Sequence, residues 1–223
     1  ATAVAQTPNP NDDKQCSNGN TVLENNSLHF EYTKQKAYKD AYEFWNPLYE
    51  VAPDYNKNLY IEGEKMLVAL INQCTKAIKA QENVDENKAL RSKYFEQLLG
   101  LMDNRMKYFG DDAKKPAPKI LGDKACYYMQ FNPKYDVDTA YMWLGESVEA
   151  LKDDADAKVL VQWVNVSQRK FKMDAAFKSD YIGNYMKGSE YVDGSLDNWY
   201  KRLEEDMKAL ETDANNAKAA KDT

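Results

Sequence analysis

The chain has 223 residues, of which 43% are apolar and 30% are charged, and its formal net charge is −6 at pH 7. This length allows one or two compact domains with a real hydrophobic core, and the acidic balance argues against nucleic-acid binding, which needs a basic surface. Nine glycines and seven prolines are too few for a β-sandwich or barrel with many tight turns.

Residues 1–17 are polar and rich in Asn and Pro, and they predict a flexible leader. Within it, Ala3-Val4-Ala5 followed by Gln6 is typical of the small-residue end of a signal peptide. The alternative is a trimmed leader without that role. No run of 18 apolar residues follows, so the sequence predicts no membrane-spanning helix.

From Thr21 the apolar residues recur at helical spacing and predict an all-α chain of about nine antiparallel helices. The first carries an apolar stripe of Leu23, Leu28 and Tyr32. The break "GDDAKKPAP" divides the array into residues 18–110 and 111–212, "GSEYVDGS" separates the last two helices, and residues 213–223 are expected to fray. The helices are predicted from 21, then over 38–52, 57–80, 86–109, 119–131, 137–151, 153–172, 174–186 and 196–210.

The second predicted helix combines a small residue, large residues and a closing proline. A small residue lets two stacked helices cross closely, large residues fill the groove beside it, and proline cannot continue the helix. This pattern resembles the tetratricopeptide repeat, whose period is 34 residues, with His29 where the repeat prefers Gly and Asn25 where it prefers Trp. The resemblance implies a helical-repeat solenoid. The residues assigned to repeat positions are Leu28, Tyr32, Ala41, Trp45, Leu48, Pro53 and Gly63.

Residues 16–75 are also similar to the N-terminal region of exported tetratricopeptide-repeat proteins of Bacteroidetes. That region typically has a Cys before the first helix, a K-x-K-x-Y-x-x-A-Y-x-x-W run, and a helix with Tyr-x-x-Gly. The resemblance implies a periplasmic or outer-membrane-associated protein that works by binding, and it leaves open that the chain is a fragment. The matching residues are Cys16, Lys34, Lys36, Tyr38, Ala41, Tyr42, Trp45, Pro53, Tyr60 and Gly63.

The three cysteines leave two interpretations. Ala52 stands where this family often has the cysteine that pairs with the leader, so the resemblance implies Cys74 as the substitute partner of Cys16. The alternative is three buried free thiols. Cys126 has the surroundings of a small core residue in either case.

The sequence carries no recognisable catalytic or metal-binding motif. It has one histidine, His29, which lies within the apolar period of the first helix and is expected to be structural. Adjacent acids such as Asp111-Asp112 point in different directions and are common at helix starts. We therefore expect no enzyme activity, no metal site and no cofactor.

The 16 tyrosines are the unusual feature of the composition. Aromatic residues at helical spacing are usually core, but tyrosine also supplies contact area at interfaces and stacks on sugars. Tyr191 falls in the "GSEYVDGS" stretch, predicted as a loop, and together with Tyr127 and Tyr128 it is predicted to bind a partner. Thr139, in Asp-Thr-Ala, resembles the O-glycosylation sites of exported Bacteroidetes proteins; alternatively Asp138 only starts a helix.

These observations predict a non-catalytic scaffold of the cell envelope that binds a protein partner, itself an envelope or outer-membrane protein, and no nucleic acid. The alternative is a glycan-binding module that uses exposed tyrosines and tryptophans in an outer-membrane uptake system. A planar group of exposed aromatic rings would favour the glycan, and a long groove with mixed charges would favour the protein.

Overall fold

The computed structural model describes residues 9–219, with side chains as far as residue 212. Within that range the chain forms α-helices and short 3₁₀ turns and no β-strand, so the all-α prediction is confirmed. None of these helices is long and apolar enough to cross a membrane. The elements are α1 (Val22–Lys34), α2 (Tyr38–Val51), α3 (Lys57–Lys79), α4 (Val84–Phe109), α5 (Ala117–Phe131), α6 (Val137–Leu151), η1 (Lys152–Asp154), α7 (Ala157–Met173), η2 (Ala175–Phe177) and α8 (Lys178–Ala219).

The described residues contain eight α-helices where the sequence predicted about nine. The two predicted last helices are one helix, α8, of 42 residues. Glycines suggested a break because each costs about 1 kcal/mol in a helix. Here they permit close approach instead: a Cβ atom at Gly188 would lie 2.8 Å from Val164, and one at Gly194 would lie 2.5 Å from Asp153.

The chain divides into two compact units, one ending at Ile120 and the other beginning at Leu121. In the first unit α1 packs on α2, α2 on α3, and α3 on α4. In the second unit α6 packs on α7 and α7 on α8, so each helix covers the apolar face of its neighbour in the chain. The core of the second unit is centred on residues such as Leu144, Leu160 and Trp163.

Hydrogen bonds hold the described part of the predicted leader, residues 9–17, against the first unit. The Asn9 side chain donates a hydrogen bond to the Tyr55 carbonyl at 3.1 Å, and the Tyr55 hydroxyl donates one to Asp12 at 2.6 Å. Residues 1–8 lie outside the described part of the chain. At the other end, residues 213–219 belong to α8, and residues 220–223 lie outside the described part, so fraying of the tail stays a prediction.

Helix α1 buries a polar face, which corrects the predicted apolar stripe. Leu28, assigned to a repeat position, is 37% exposed, and Leu23 is exposed as well. A capping box starts the helix, with Thr21 and Glu24 each accepting the other's backbone N–H. The buried residues of α1 are Val22, Asn25, His29 and Thr33.

Hydrogen bonds to the Asn25 side chain explain how α1 can bury a polar face. Its amide exchanges hydrogen bonds with Asn18 at 2.8 and 3.1 Å and accepts one from Asn20 at 3.1 Å. Pro47 has no N–H, so it leaves the Glu43 carbonyl of α2 without its usual helical donor, and Asn18 donates to that carbonyl at 3.4 Å. The short segment between the leader and α1, which holds Asn18 and Asn20, thus supplies the polar partners that let α1 bury an amide.

The packing of α2 on α3 depends on Trp45. Its indole is fully buried, and Nε1 donates a hydrogen bond to the Leu59 carbonyl at 2.9 Å. One face of the ring stacks on Tyr49 with centroids 4.7 Å apart. The ring also lies directly against Gly63, where a Cβ atom would come within 2.8 Å of it. Ala41 and Leu48 are buried on the same face of α2.

The turn between α2 and α3 is fixed by side-chain hydrogen bonds. Helix α2 ends at Val51, two residues before Pro53. The Pro53 carbonyl accepts a hydrogen bond from the Tyr60 hydroxyl at 2.6 Å. Asn56 then caps α3 by accepting the Leu59 N–H at 2.9 Å.

All three cysteines are buried and free in the structure, so the expected Cys16–Cys74 bridge is absent from it. The leader is tied through Asn9 and Asp12 to Tyr55, just before the start of α3. Cys74 lies 17 residues beyond that start, which is about 25 Å along the helix axis. A disulfide needs Cα atoms about 4.4–6.8 Å apart.

Replacing Trp45 with Ala should lower the free energy of unfolding by about 3–5 kcal/mol, because a fully buried indole and its hydrogen bond are lost. Urea unfolding followed by circular dichroism measures the change. The control is Trp199→Ala, which removes an exposed indole and should change stability by less than about 0.5 kcal/mol. Equal stability of wild type and Trp45→Ala would contradict the assigned packing.

Replacing Gly63 with Ala should destabilise the fold by about 1–3 kcal/mol, because the added methyl group overlaps the Trp45 ring. The matched control is Gly100→Ala in α4, where nothing lies within 4 Å of the new methyl group, and it should stabilise by about 0.4–1 kcal/mol. A Trp45→Phe background, with a smaller ring, should reduce the cost of Gly63→Ala. Similar effects of the two glycine substitutions in the wild-type background would argue against close contact at Gly63.

Candidate functional site

The predicted binding tyrosines of α5 are engaged within their own unit. Tyr128 makes edge contacts with Tyr135 and Trp143, and its hydroxyl oxygen accepts the Asp136 N–H at 3.0 Å. Tyr127 stacks on Phe131 with centroids 6.0 Å apart. Both rings are half-buried, so little of either is free for a partner.

Tyr191 lies in the middle of α8, so its predicted position in a loop is wrong. The side chain is half-buried and packs against the core of the second unit. The prediction failed because it took Gly188 and Gly194 for turn residues, whereas both serve close packing. The structure therefore gives Tyr191 a packing role and brings no exposed tyrosine surface together at this point.

Thr139 lies in the first turn of α6 and is half-buried. Asp136 caps this helix by accepting the Thr139 N–H at 2.7 Å, and Asp138 forms an ion pair with Lys170. Asp136 is thus the residue that starts the helix. O-glycosylation of Thr139 stays a prediction.

The distal half of α8 carries a continuous exposed apolar surface that the sequence analysis did not single out. Its side chains are between 41% and 69% exposed. They occupy positions i, i+3, i+4, i+7, i+11 and i+14, which places them in one arc of about 100° on the helix. The sequence signal was available, since three leucines recur every seven residues. We call this surface the α8 stripe, and it consists of Leu196, Trp199, Tyr200, Leu203, Met207 and Leu210.

The α8 stripe lies on the side of α8 that is turned away from η1. On α8, Gly194 lies against Asp153, and Arg202 forms an ion pair with Asp154 at 3.2 Å, so this side of the helix meets η1. At about 100° per residue, the centre of the stripe lies roughly 150° around the helix from this side. No described residue of the unit is placed to cover it.

A groove between α7 and α8 continues the same face of α8 toward its N-terminus. The α7–α8 groove has a volume of about 250 Å³. Tyr185, Ser189 and Val192 line it from α8 and occupy the same arc as the stripe. From α7 it is lined by Leu160, Val161, Val164 and Asn165.

The exposed aromatic rings of the stripe do not form a flat platform. Trp199 and Tyr200 lie edge to face, with centroids 5.2 Å apart and planes at 68°. A sugar ring stacks on an aromatic face, and two faces at this angle do not present one plane to it. The two rings at this angle form an irregular apolar surface, which fits the apolar side chains of a protein partner better than a flat sugar ring.

Two buried titratable groups show how burial controls their chemistry. Burial raises the pKa of the Cys126 thiol to about 11, so the thiol is protonated at neutral pH. Burial lowers the pKa of His29 to about 4, against a smaller opposing effect of the Glu62 charge. The His29 Nδ1 atom has no hydrogen-bond partner among the described residues. His29 is therefore neutral at pH 7.

Comparisons of the chain with protein-family models, with curated proteins and with solved structures give no match. The case for a function therefore depends on the geometry of the chain's own residues.

Lowering the pH from about 6.5 to about 4 should reduce stability through His29. The unfolded chain binds this proton with a pKa of about 6.5, whereas the folded pKa is about 4, so the unfolded state takes up more protons in this window. The loss should reach about 3 kcal/mol. Urea unfolding at several pH values measures it.

The control for this titration is His29→Gln. His29 is the only histidine of the chain, so the variant should lack the slope between about pH 6.5 and 5, where most carboxylates are still ionised. The same slope in both proteins would show that His29 does not carry the pH dependence.

Proposed function

We propose that this protein is a non-catalytic scaffold that binds a protein partner through the α8 stripe and the α7–α8 groove. The observation that supports it is the exposure of six large apolar side chains on one face of one helix. Contiguous exposed apolar surface is costly in water and marks interaction sites in soluble proteins. The helices supply a rigid support, and the groove supplies a concave end for an apolar side chain.

The proposal also includes the repeat architecture and the cell-envelope location that the sequence predicted. We infer a tetratricopeptide-like helical-repeat protein, similar to exported proteins of Bacteroidetes, that acts in the periplasm or at the outer membrane. The support is the pairwise packing of successive helices together with the repeat-like sequence of residues 16–75. A partner there is itself an envelope protein. The angle between Trp199 and Tyr200 favours this reading over glycan binding.

The test compares two methionines of similar exposure in the second unit. Met207 lies on the α8 stripe and is 54% exposed, whereas Met142 lies on α6 and is 51% exposed. Met207→Gln should lose the partner that wild type captures from an envelope extract, and Met142→Gln should keep it. Both variants should melt within about 2 °C of wild type, because neither removes buried surface. Retention of every captured protein by Met207→Gln would contradict the proposal.

A further inference from the structure

The charged residues that border the α8 stripe are acidic except for Arg202, which is paired with Asp154. Asp197, Glu204 and Glu211 recur every seven residues along one edge of the stripe, and Asp206 lies on the other edge. All four belong to the exposed half of α8. The apolar surface is therefore bordered by carboxylates on both sides.

These four carboxylates have no ion-pair partner in the described part of the chain. The basic residue closest to the stripe, Arg202, is held by Asp154 at 3.2 Å. Lys201 and Lys208 point further round the helix, at roughly 130–150° from the centre of the stripe. The uncompensated charge at the border is negative.

This border opposes two of the surfaces that an apolar helix face usually meets. In a pair of identical α8 helices, the flanking positions would bring acid against acid in both the parallel and the antiparallel arrangement. Amphipathic helices that lie on membranes are rich in Lys and Arg, because the lipid surface is anionic. Asp197, Glu204, Asp206 and Glu211 would be repelled there.

We propose that the α8 stripe binds an amphipathic helix of another protein whose apolar face is bordered by Lys or Arg. Such a helix satisfies the apolar side chains of the stripe and places its cations against the free carboxylates. This inference rests on the proposed function and deepens it by naming the chemistry of the partner.

The dimensions of the surface fix the length of the partner segment. Leu196 and Leu210 are 14 residues apart, which is about 21 Å of helix. A partner helix of about four turns covers the stripe, and an apolar side chain at its end fits the α7–α8 groove beside Tyr185 and Val192. Specificity comes from the charged borders, because apolar contact alone does not select a partner by charge.

Two designed helical peptides of about three heptads provide the probe. Both carry Leu at the a and d positions; one has Lys at e and g, and the other has Glu there. Fluorescence anisotropy with the full chain at about 50 mM salt should show at least tenfold tighter binding of the Lys peptide. At about 500 mM salt the difference should shrink, because exposed charges are screened. Equal affinity for the two peptides at low salt would overturn the inference.

Adjacent glutamates supply a matched pair of variants. Glu204 borders the stripe, whereas Glu205 lies on the opposite face of α8. Glu204→Lys should weaken binding of the Lys peptide about threefold or more, and Glu205→Lys, with the same change of net charge, should bind like wild type. A Glu204→Lys/Glu211→Lys double variant should bind the Glu peptide better than wild type does. Equal effects of Glu204→Lys and Glu205→Lys would show that only net charge matters.

Three further measurements distinguish a failure of this inference from a failure of the proposed function. Sedimentation velocity that shows a dimer dissociated by Met207→Gln would assign the stripe to a second copy, and Met207-dependent binding to phosphatidylserine vesicles would assign it to a membrane. Either result would contradict the proposal that the partner is a helix bordered by Lys or Arg. Loss of the envelope partner in Met207→Gln but not in Glu204→Lys would keep the proposed function and remove the inference.

Discussion

Close contact between a side chain of one helix and a glycine of another sets the spacing of helices in both units. In the first unit the Trp45 indole fills the space at Gly63. In the second, Gly122 lies against Ser147 and Val159, and Gly188 against Val164. A chain without strands buries its apolar faces only between helices, and their distance is fixed by the residues at the contact. The hydrogen bond from the Trp45 indole N–H to the Leu59 carbonyl also fixes the orientation of the ring in this contact.

The buried polar face of α1 is a second case in which a buried N–H group is given a hydrogen-bond partner. Asn25 is buried where a repeat of this kind prefers an aromatic ring, and it is accommodated by amides of the segment that precedes α1. Pro47 contributes by leaving a carbonyl of α2 open to Asn18. The conformation of residues 18–20 and the burial of Asn25 thus depend on each other, and neither is a property of α1 alone.

The all-α class and most helix bounds follow from the sequence, because apolar period, caps and prolines are local signals. The face of α1 and the continuity of α8 do not, because both depend on distant residues. Leu28 is exposed because Asn18 and Asn20 favour burial of the neighbouring face. Gly188 lies inside a continuous helix, where the close contact with Val164 requires a residue without a side chain. The predicted site at Tyr127, Tyr128 and Tyr191 relied on a surplus of aromatic residues. In the structure Tyr127 and Tyr128 pack against other rings, and Tyr191 packs against the core of the second unit. The α8 stripe was readable from its seven-residue spacing, but whether another helix covers such a face is decided only by the fold.

Because α8 is one continuous helix, the number of residues along it fixes both the distance and the direction of the stripe. Each inserted residue would advance the distal half by about 1.5 Å and rotate it by about 100°. A single insertion after Val192 would therefore turn the stripe toward the side that now meets η1, whereas a seven-residue insertion would restore its direction about 10 Å further out. The direction of the stripe is therefore kept only by length changes close to multiples of seven, counted from the contact of Gly188 with Val164.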